Sequence, residues 1–451
     1  MSINNVPAYN ATLAFAGAVR SKEPLWLRRF LEFMLCTFLA YVFTDGTLIA
    51  VNTGVSDMTS LVLESGEGDS SRQIFYIGIA LLLFLIAARH GLRNVVLPFP
   101  TSVFIVVFWC FCSVSWAIVP DISLRRTILA TIIIFATITI VSALGPLRVT
   151  QLLYRILAFF VVANMLSVVL LPGYAIHSEH EMDTALIGAW HGLMPHKNVA
   201  SAVTALSAIV FGYHAFLTRS WKSAVLLVLS IIFLLGTRGK TSLGIVVPCL
   251  IAGIMYNHAF RTQRQRFLLF ATTFLLLAGL AMFAMVFTPL LAQIFDDPAS
   301  FTGRVAIWDI VLRYAEAYPI TGAGFGSFWL IGQDSPILRI GGDMPWLFGI
   351  AHSHNGYLEM LVTTGVPGLV LTVIMFVIVP FYSFVMADSA WRKINGLYFG
   401  IWLFAVIYNL LETHIMNRDR QVWVIMLIAI QVAFLHRKRE AGTGPRIVLG
   451  T

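Results

Sequence analysis

His352-Ser353-His354-Asn355 places two imidazoles and a side-chain amide within four residues, and Glu359 follows one helical turn later. An unperturbed imidazole titrates at about pH 6.5, so a neutral histidine can take a proton from a hydroxyl at physiological pH. Asn355 is a good N-cap for a helix over 356–363 and would fix the backbone beside His354. Glu359 either orients an imidazole or faces solvent. The cluster closes the longest polar segment of the chain, 289–355, just where an apolar run resumes. Ionisable groups at such a depth are costly, which makes them the first place to look for chemistry.

A second set of residues is cationic. Arg238 and Lys240 lie in Thr237-Arg-Gly-Lys-Thr-Ser242, and Arg304 follows Gly303 at the start of an amphipathic helix expected over 304–318. The apolar stripe of that helix reads Val305, Ile307, Trp308, Val311, Leu312 and Ala315. Arg125, Arg126 and Lys197 stand where apolar runs begin. Taken singly, each can be a cation whose stem lies along apolar surface. Taken together, they would converge on an anionic head group, because a planar guanidinium pairs bidentately with phosphate. A helix N-terminus at Arg304 would favour the same anion.

Other constellations are weaker. His177-Ser-Glu-His180-Glu181, with His191 and His196, supplies enough ligands for zinc, but the spacing matches no metal motif, and no metal is assigned. Gly322-Ala-Gly-Phe-Gly326 follows Pro319 with no strand before it and no GK[ST] after it, so a helix-breaking turn is expected. No GxSxG occurs, and Cys36, Cys110, Cys112 and Cys249 all fall inside apolar runs. No cofactor is implied.

The elements that must position these groups are set by composition. The 451 residues are 58% hydrophobic and 12% charged, with mean hydropathy +0.83. Soluble proteins carry about 25% charged residues, so lipid must surround most of this chain. The net charge of +8 comes from basic residues that bracket apolar segments singly or in pairs, which fits membrane flanks and not nucleic acid. Twelve apolar runs read as spans: 30–50, 73–88, 95–117, 127–145, 150–171, 198–218, 221–236, 241–258, 267–288, 364–387, 395–413 and 421–436. The resulting organisation is a cytoplasmic segment 1–29, helices 30–288, an outer loop 289–363 with amphipathic helices, helices 364–436 and a cytoplasmic tail 437–451. One set of loops and ends holds 19 of the 30 Lys and Arg, which puts both termini in the cytoplasm. The expected fold is therefore an all-α integral membrane protein of about twelve spans, with a long loop between helices nine and ten.

These residues resemble the O-antigen ligase and polysaccharide polymerase superfamily of bacterial inner-membrane glycosyltransferases. The likeness rests on His354-Asn355-Gly-Tyr-Leu-Glu359 with Gly365-Val-Pro-Gly368, on Gly303-Arg304 with Trp308, and on the Pro319-Ile-Thr-Gly-Ala-Gly324 turn. Arg238 after the seventh run, Trp116 to Arg126, and Gly192-Leu-Met-Pro-His196-Lys-Asn198 add to it, the last looking most like succinoglycan-type exopolysaccharide polymerases. The resemblance implies a GT-C-like fold with its active site facing the periplasm. It implies a glycan donor on undecaprenyl pyrophosphate, a glycan or lipid-linked acceptor, and neither nucleotide sugar nor metal. A flippase and a chain-length regulator are the partners such a system implies. The family's pyrophosphate-binding arginines map onto Arg238 and Arg304, with Lys240, Lys197 and Arg126 as additions. Its loop histidine maps onto His354, with His352 one residue away as a rival, and Asn355, Glu359 and His196 in support.

The expected activity is polymerisation of lipid-linked repeat units of an exopolysaccharide or O-antigen by inverting displacement. A ligase moving finished glycan to lipid A-core would share the donor and differ in acceptor. A transporter would also suit twelve spans, but it expects charge within the helices, and the charge here collects outside them.

Overall fold

The computed structural model describes residues 25–46, 70–90, 100–178, 186–258, 262–268, 304–340, 350–417 and 420–437. The N-terminal segment before Leu25, His180 and Glu181, most of the 267–288 run, residues 289–303 of the long loop and the tail from 438 lie outside the described residues.

Among the described residues the chain is helical, with isolated bridges but no strands. The helices are α1 Leu25–Thr44, α2 Ser70–His90, α3 Thr101–Ser113, α4 Pro120–Leu144, α5 Pro146–Leu170, α6 Lys197–Thr218, α7 Trp221–Gly236, α8 Lys240–His258, α9 Arg304–Ala317, α10 Gly356–Val385, α11 Arg392–Tyr408 and α12 Gln421–Leu435. Five of them, α4, α5, α6, α8 and α10, are long and apolar enough to cross a membrane. This is an all-α membrane architecture.

Local sequence explains the boundaries. Pro120 and Pro146 open α4 and α5, where a missing N–H costs nothing, and Gly145 turns between them at φ 74°. Because α4 starts at Pro120, Arg125 and Arg126 lie in its second turn and not ahead of a span beginning at 127. In α9 the buried face is Ile307, Ile310, Val311 and Tyr314, the i, i+3, i+4, i+7 pattern of an amphipathic helix. Leu312, expected in that stripe, is exposed.

α12 is buried on every side from Gln421 to Ala433, packed by α1, α4, α6, α10 and α11. A helix that is apolar all round belongs in a core. α8 lies along α11 at close range, because a Cβ added at Gly253 would stand 2.7 Å from the Gly396 carbonyl. α11 and α12 have 17 and 15 residues. They are about 26 and about 23 Å long, against roughly 30 Å of bilayer hydrocarbon.

Sequence suggests separate segments over 356–363 and 364–387, but the chain runs as one helix broken at Gly365. That residue has φ 69° and ψ −178°, a region essentially reserved for glycine. The break accommodates the Pro319–Gly326 turn: Val366 N–H donates to the Pro319 carbonyl at 2.7 Å, and Ala323 N–H donates to Val362 at 2.9 Å. Trp109 and Trp116 fasten the same junction by donating to the carbonyls of Thr364 and Thr321. The glycine run is thus the expected turn, wedged between α3 and α10.

Chain segments at one end of the bundle converge. They comprise 186–196, 237–239, 318–335, 350–355 and 409–417. Segments at the other end, 386–391 and 436–437, pair through Asp388 N–H and the His436 carbonyl.

Candidate active site

The loop 350–355 is held from four sides. Asn355 caps α10, its Oδ1 accepting the N–H groups of Tyr357 and Leu358 at 2.9 and 3.1 Å, while its Nδ2 donates to the Leu410 carbonyl at 3.0 Å. Glu359 Oε2 accepts the Ser353 N–H and the Trp329 indole N–H, both at 2.9 Å. Trp308 of α9 donates to the Ser353 carbonyl at 2.9 Å. His354 is thereby fixed in the left-handed region at φ 51°. Such a conformation persists only when its surroundings over-determine it, and it is common at functional sites.

The loop after α11 supplies the residue that joins the site. Asn409 Oδ1 accepts the N–H groups of His414 and Ile415, and the Gly356 N–H donates to the carbonyls of Asn409 and Glu412. A Cβ at position 356 would stand 2.4 Å from Asn409 Oδ1, so the two loops lock at a glycine. Glu412 is left 6% exposed between two partners. Its Oε1 accepts from Arg304 Nη2 at 2.6 Å, and its Oε2 faces His354 Nδ1 at 3.4 Å.

Electrostatics separates the three imidazoles nearby. Burial would raise the Glu412 carboxyl, but the hydrogen bond from His354 and the Arg304 charge outweigh it and hold the group below the usual 4.5. Burial first, then the adjacent His354 and the Arg420 charge, push His352 well below 6.5. Burial and then Arg420 push His414 down to about 3, against the pull of Glu412. His352 and His414 are therefore neutral at physiological pH. Among the described residues, His354 is the one of the three that contacts a carboxylate. Its ring lies 4.3 Å from that of His352, whose Nδ1 accepts the His354 N–H at 3.3 Å.

The sequence-derived residues fall into two groups. Arg304, His352, His354, Asn355 and Glu359 come together. Arg126 faces the same region, but its guanidinium donates to the carbonyls of Gly326, Trp329 and Leu330, tying the glycine turn to α4. Arg238, left-handed at φ 54° between α7 and α8, donates to the Ile187 carbonyl at 3.0 Å and is exposed, as is Lys240. His196 Nδ1 caps α6 through the Asn198 N–H, and the Lys197 N–H donates to His177 Nε2. These elements meet the first group through Tyr408. Its hydroxyl faces Ser201, Ser242 and the Asn198 carbonyl, and its ring stands 5.2 Å from His414.

Glu412 is the residue that sequence reasoning missed. The available signal was Glu412-Thr-His414, an ionisable pair closing an apolar run. The rings of His191 and His196 do approach that of His177, tilted at 4.5 Å and edge-on at 5.4 Å between centroids. No group of three or more metal-type ligands forms among the described residues.

Residues 223–373 match the family model described as O-antigen ligase. The likeness to the O-antigen ligase and polysaccharide polymerase superfamily therefore stands. The matched stretch, about a third of the chain, runs from α7 into α10 and includes Arg238, Lys240, Arg304 and His352 to Glu359. Glu412 and Arg126 lie outside it. The chain is also similar to the "Exopolysaccharide production protein ExoQ" of Rhizobium meliloti (strain 1021), 27% identical over 146 residues. That alignment covers 31% of this chain and 32% of the relative, so the chain spans about a third of the curated relative it matches. The O-antigen ligase match over a third of the chain, with five helices long and apolar enough to cross a membrane, fits a multi-pass membrane protein similar to that family.

Proposed function

We propose that this protein is a membrane glycosyltransferase that moves a glycan from a lipid pyrophosphate carrier to an acceptor hydroxyl, with His354 as general base. The observation that carries this reading is the Glu412 carboxylate shared between Arg304 and His354. A carboxylate on Nδ1 orients the ring and leaves Nε2 to meet a hydroxyl, the arrangement used wherever a histidine base is held by an acid.

The step balances simply. The acceptor oxygen attacks the anomeric carbon, its proton passes to His354 Nε2, and the bond to the pyrophosphate oxygen breaks. The electron pair leaves on the lipid diphosphate, and configuration inverts. Arg304 would receive that charge: Nη2 holds Glu412, and its Nε has no acceptor among the described residues, so the carboxylate does not use up the guanidinium's donors. Arg238 and Lys240, exposed on the next turn, would meet the same carrier. Each such contribution is commonly worth about two to four orders of magnitude in rate. His352, neutral and under the loop, serves as a support.

We place the reaction at the periplasmic face of a bacterial inner membrane, in a twelve-span GT-C-like fold with both termini cytoplasmic. The distribution of Lys and Arg supports that orientation. The product is a growing exopolysaccharide or O-antigen chain, in line with the exopolysaccharide relative. The O-antigen ligase description of the matched family favours transfer of finished glycan as the second reading. Purified protein in detergent, given lipid-diphosphate repeats and no ion gradient, should lengthen them, with or without chelator. No transfer under those conditions sinks the proposal. In cells, a deletion that leaves single lipid-linked repeats supports chain growth, and one that leaves long lipid-linked chains supports ligation.

A further inference from the structure

Arg126 and Trp329 take no part in the step above, yet both lead to its base. Arg126 stands in the second turn of α4, and its guanidinium gathers three main-chain carbonyls. Nη1 donates to Gly326 and, at 2.9 Å, to Trp329, while Nη2 donates to Leu330 at 2.9 Å. Gly326 and Leu330 both have left-handed backbone, at φ 64° and 49°. A Cβ at position 326 would stand 2.9 Å from Arg126 Cδ, so the arginine stem lies directly against the turn. A loop in so unusual a conformation needs outside partners to hold it, and Arg126 supplies one.

Trp329 carries the constraint onward. It is buried, with its ring edge-on to Phe328 at 4.7 Å, and its indole N–H donates to Glu359 Oε2. The same oxygen accepts the Ser353 N–H, so the path Arg126–Trp329–Glu359–Ser353 runs through hydrogen bonds of 2.9 Å at each link. The next peptide is held at both ends. Its carbonyl, that of Ser353, accepts from Trp308 at 2.9 Å, and its N–H, that of His354, donates to His352 Nδ1 at 3.3 Å. Two consecutive peptide planes are thereby fixed, and they set the left-handed φ of 51° at His354. An imidazole has few torsions of its own, so fixing the main chain fixes most of where its nitrogens point.

We propose that Arg126 and Trp329 are positioning residues: through Glu359 they fix the Ser353 peptide, and with it the direction of the His354 base. Sequence alone reads Arg126 as one more cation for the carrier phosphates, and the three carbonyls give it this different task. The effect on rate can be large, because a misplacement of about 1 Å at a reacting group costs on the order of a hundredfold. The positioning role rests on the transferase reading above, whereas the clamp on Ser353 does not.

The test uses the full chain purified in detergent and two measurements: hydrogen exchange of the amides in 350–355, and kcat and KM on lipid-diphosphate repeats. Trp329→Phe keeps an aromatic ring and removes the indole N–H. It should speed exchange at Ser353 about five- to tenfold, the range for losing one hydrogen bond. It should also lower kcat about ten- to a hundredfold, with donor KM within about twofold of wild type. Arg126→Gln should act in the same direction, and Arg126→Lys should fall between, because an ammonium keeps charge and loses the fork. Trp221→Phe, exposed at the start of α7, should match wild type in both measurements. Wild-type exchange at Ser353 in Trp329→Phe, or faster exchange with unchanged kcat, overturns the proposal. So does a rise in donor KM at unchanged kcat in Arg126→Gln, which would return that residue to the phosphates. Faster exchange in a protein that transfers no glycan sustains the clamp and removes the transferase reading.

Discussion

Glu412 Oε2 lies 3.4 Å from His354 Nδ1 while Oε1 of the same carboxylate accepts from Arg304 Nη2 at 2.6 Å. One buried acid thus binds together a cation from α9 and an imidazole from the loop before α10. Residues 58 and 108 positions apart in sequence become one unit.

His354→Ala should lower transfer at least about a hundredfold, the usual contribution of a positioned base, with normal membrane insertion. His352→Ala should retain more activity, because among the described residues no carboxylate contacts that ring. Rates measured on lipid-diphosphate repeats decide between them, and the reverse order would move the base to His352.

Glu412→Gln keeps shape and removes charge, leaving Arg304 in a buried setting without its counter-ion. Breaking one side of a buried pair commonly costs about 3–5 kcal/mol. The folded carboxyl titrates below its ordinary 4.5, so the ionised form stabilises the fold above that pH, and the gain is lost as pH falls through the depressed folded value. The stability gap between wild type and variant should stay level from pH 8 to pH 5 and close below 4.5. Unfolding in detergent across that range measures it, and a gap that is unchanged at pH 3.5 would contradict the assignment.

Stability of the wild type itself should fall as pH drops below 6.5. His352 and His414 are held neutral in the fold, so the unfolded chain binds more protons there. Each group contributes a slope of up to about 1.4 kcal/mol per pH unit, continuing down to about pH 3 for His414. His414→Asn should remove one share of that slope. An identical pH profile in that variant would argue that the ring is hydrated and not buried.

Arg304→Lys should impair transfer despite keeping its charge. The guanidinium holds Glu412 with one nitrogen and offers others to a phosphate, a division that an ammonium cannot reproduce in the same geometry. Arg238→Lys should act more on apparent donor affinity, since its contact is a main-chain carbonyl at the rim. Separate kcat and KM values for the two variants check the distinction.

Gly365→Ala should destabilise the protein by several kcal/mol. The backbone angle alone costs about 1–3 kcal/mol for a residue with a side chain, and the added Cβ would stand 2.1 Å from the Ile320 carbonyl. Gly78→Ala, with open space around it, is the neutral control. Thermal unfolding of both in detergent provides the comparison.

The apolar runs were legible because lipid imposes its length on the sequence, and the described helices lie along most of them. His354, Asn355 and Arg304 stood out because polar groups are rare in such a chain. Glu412 did not, since it sits alone after Leu410-Leu411 and its meaning comes from a fold that carries it under α10. Arg126 looked like a phosphate ligand for the same reason that Arg304 did. What separates them is the return of residues 326–330 over α4, a long-range approach that no local spacing announces. The glycine turn was readable as a break; that its Pro319 and Ile320 carbonyls dock against Gly365, a contact between segments far apart in sequence, was not.

The burial of the strip between α11 and α12 has a chemical result. Glu412 and His414 lie on the strip that joins them, and both side chains are almost wholly shielded from solvent. On the proposed reading, an activated sugar brought there would meet few stray solvent molecules. Hydrolysis, the competing fate of such a donor, would be starved of its nucleophile, and an alcohol delivered by the acceptor would have the field to itself.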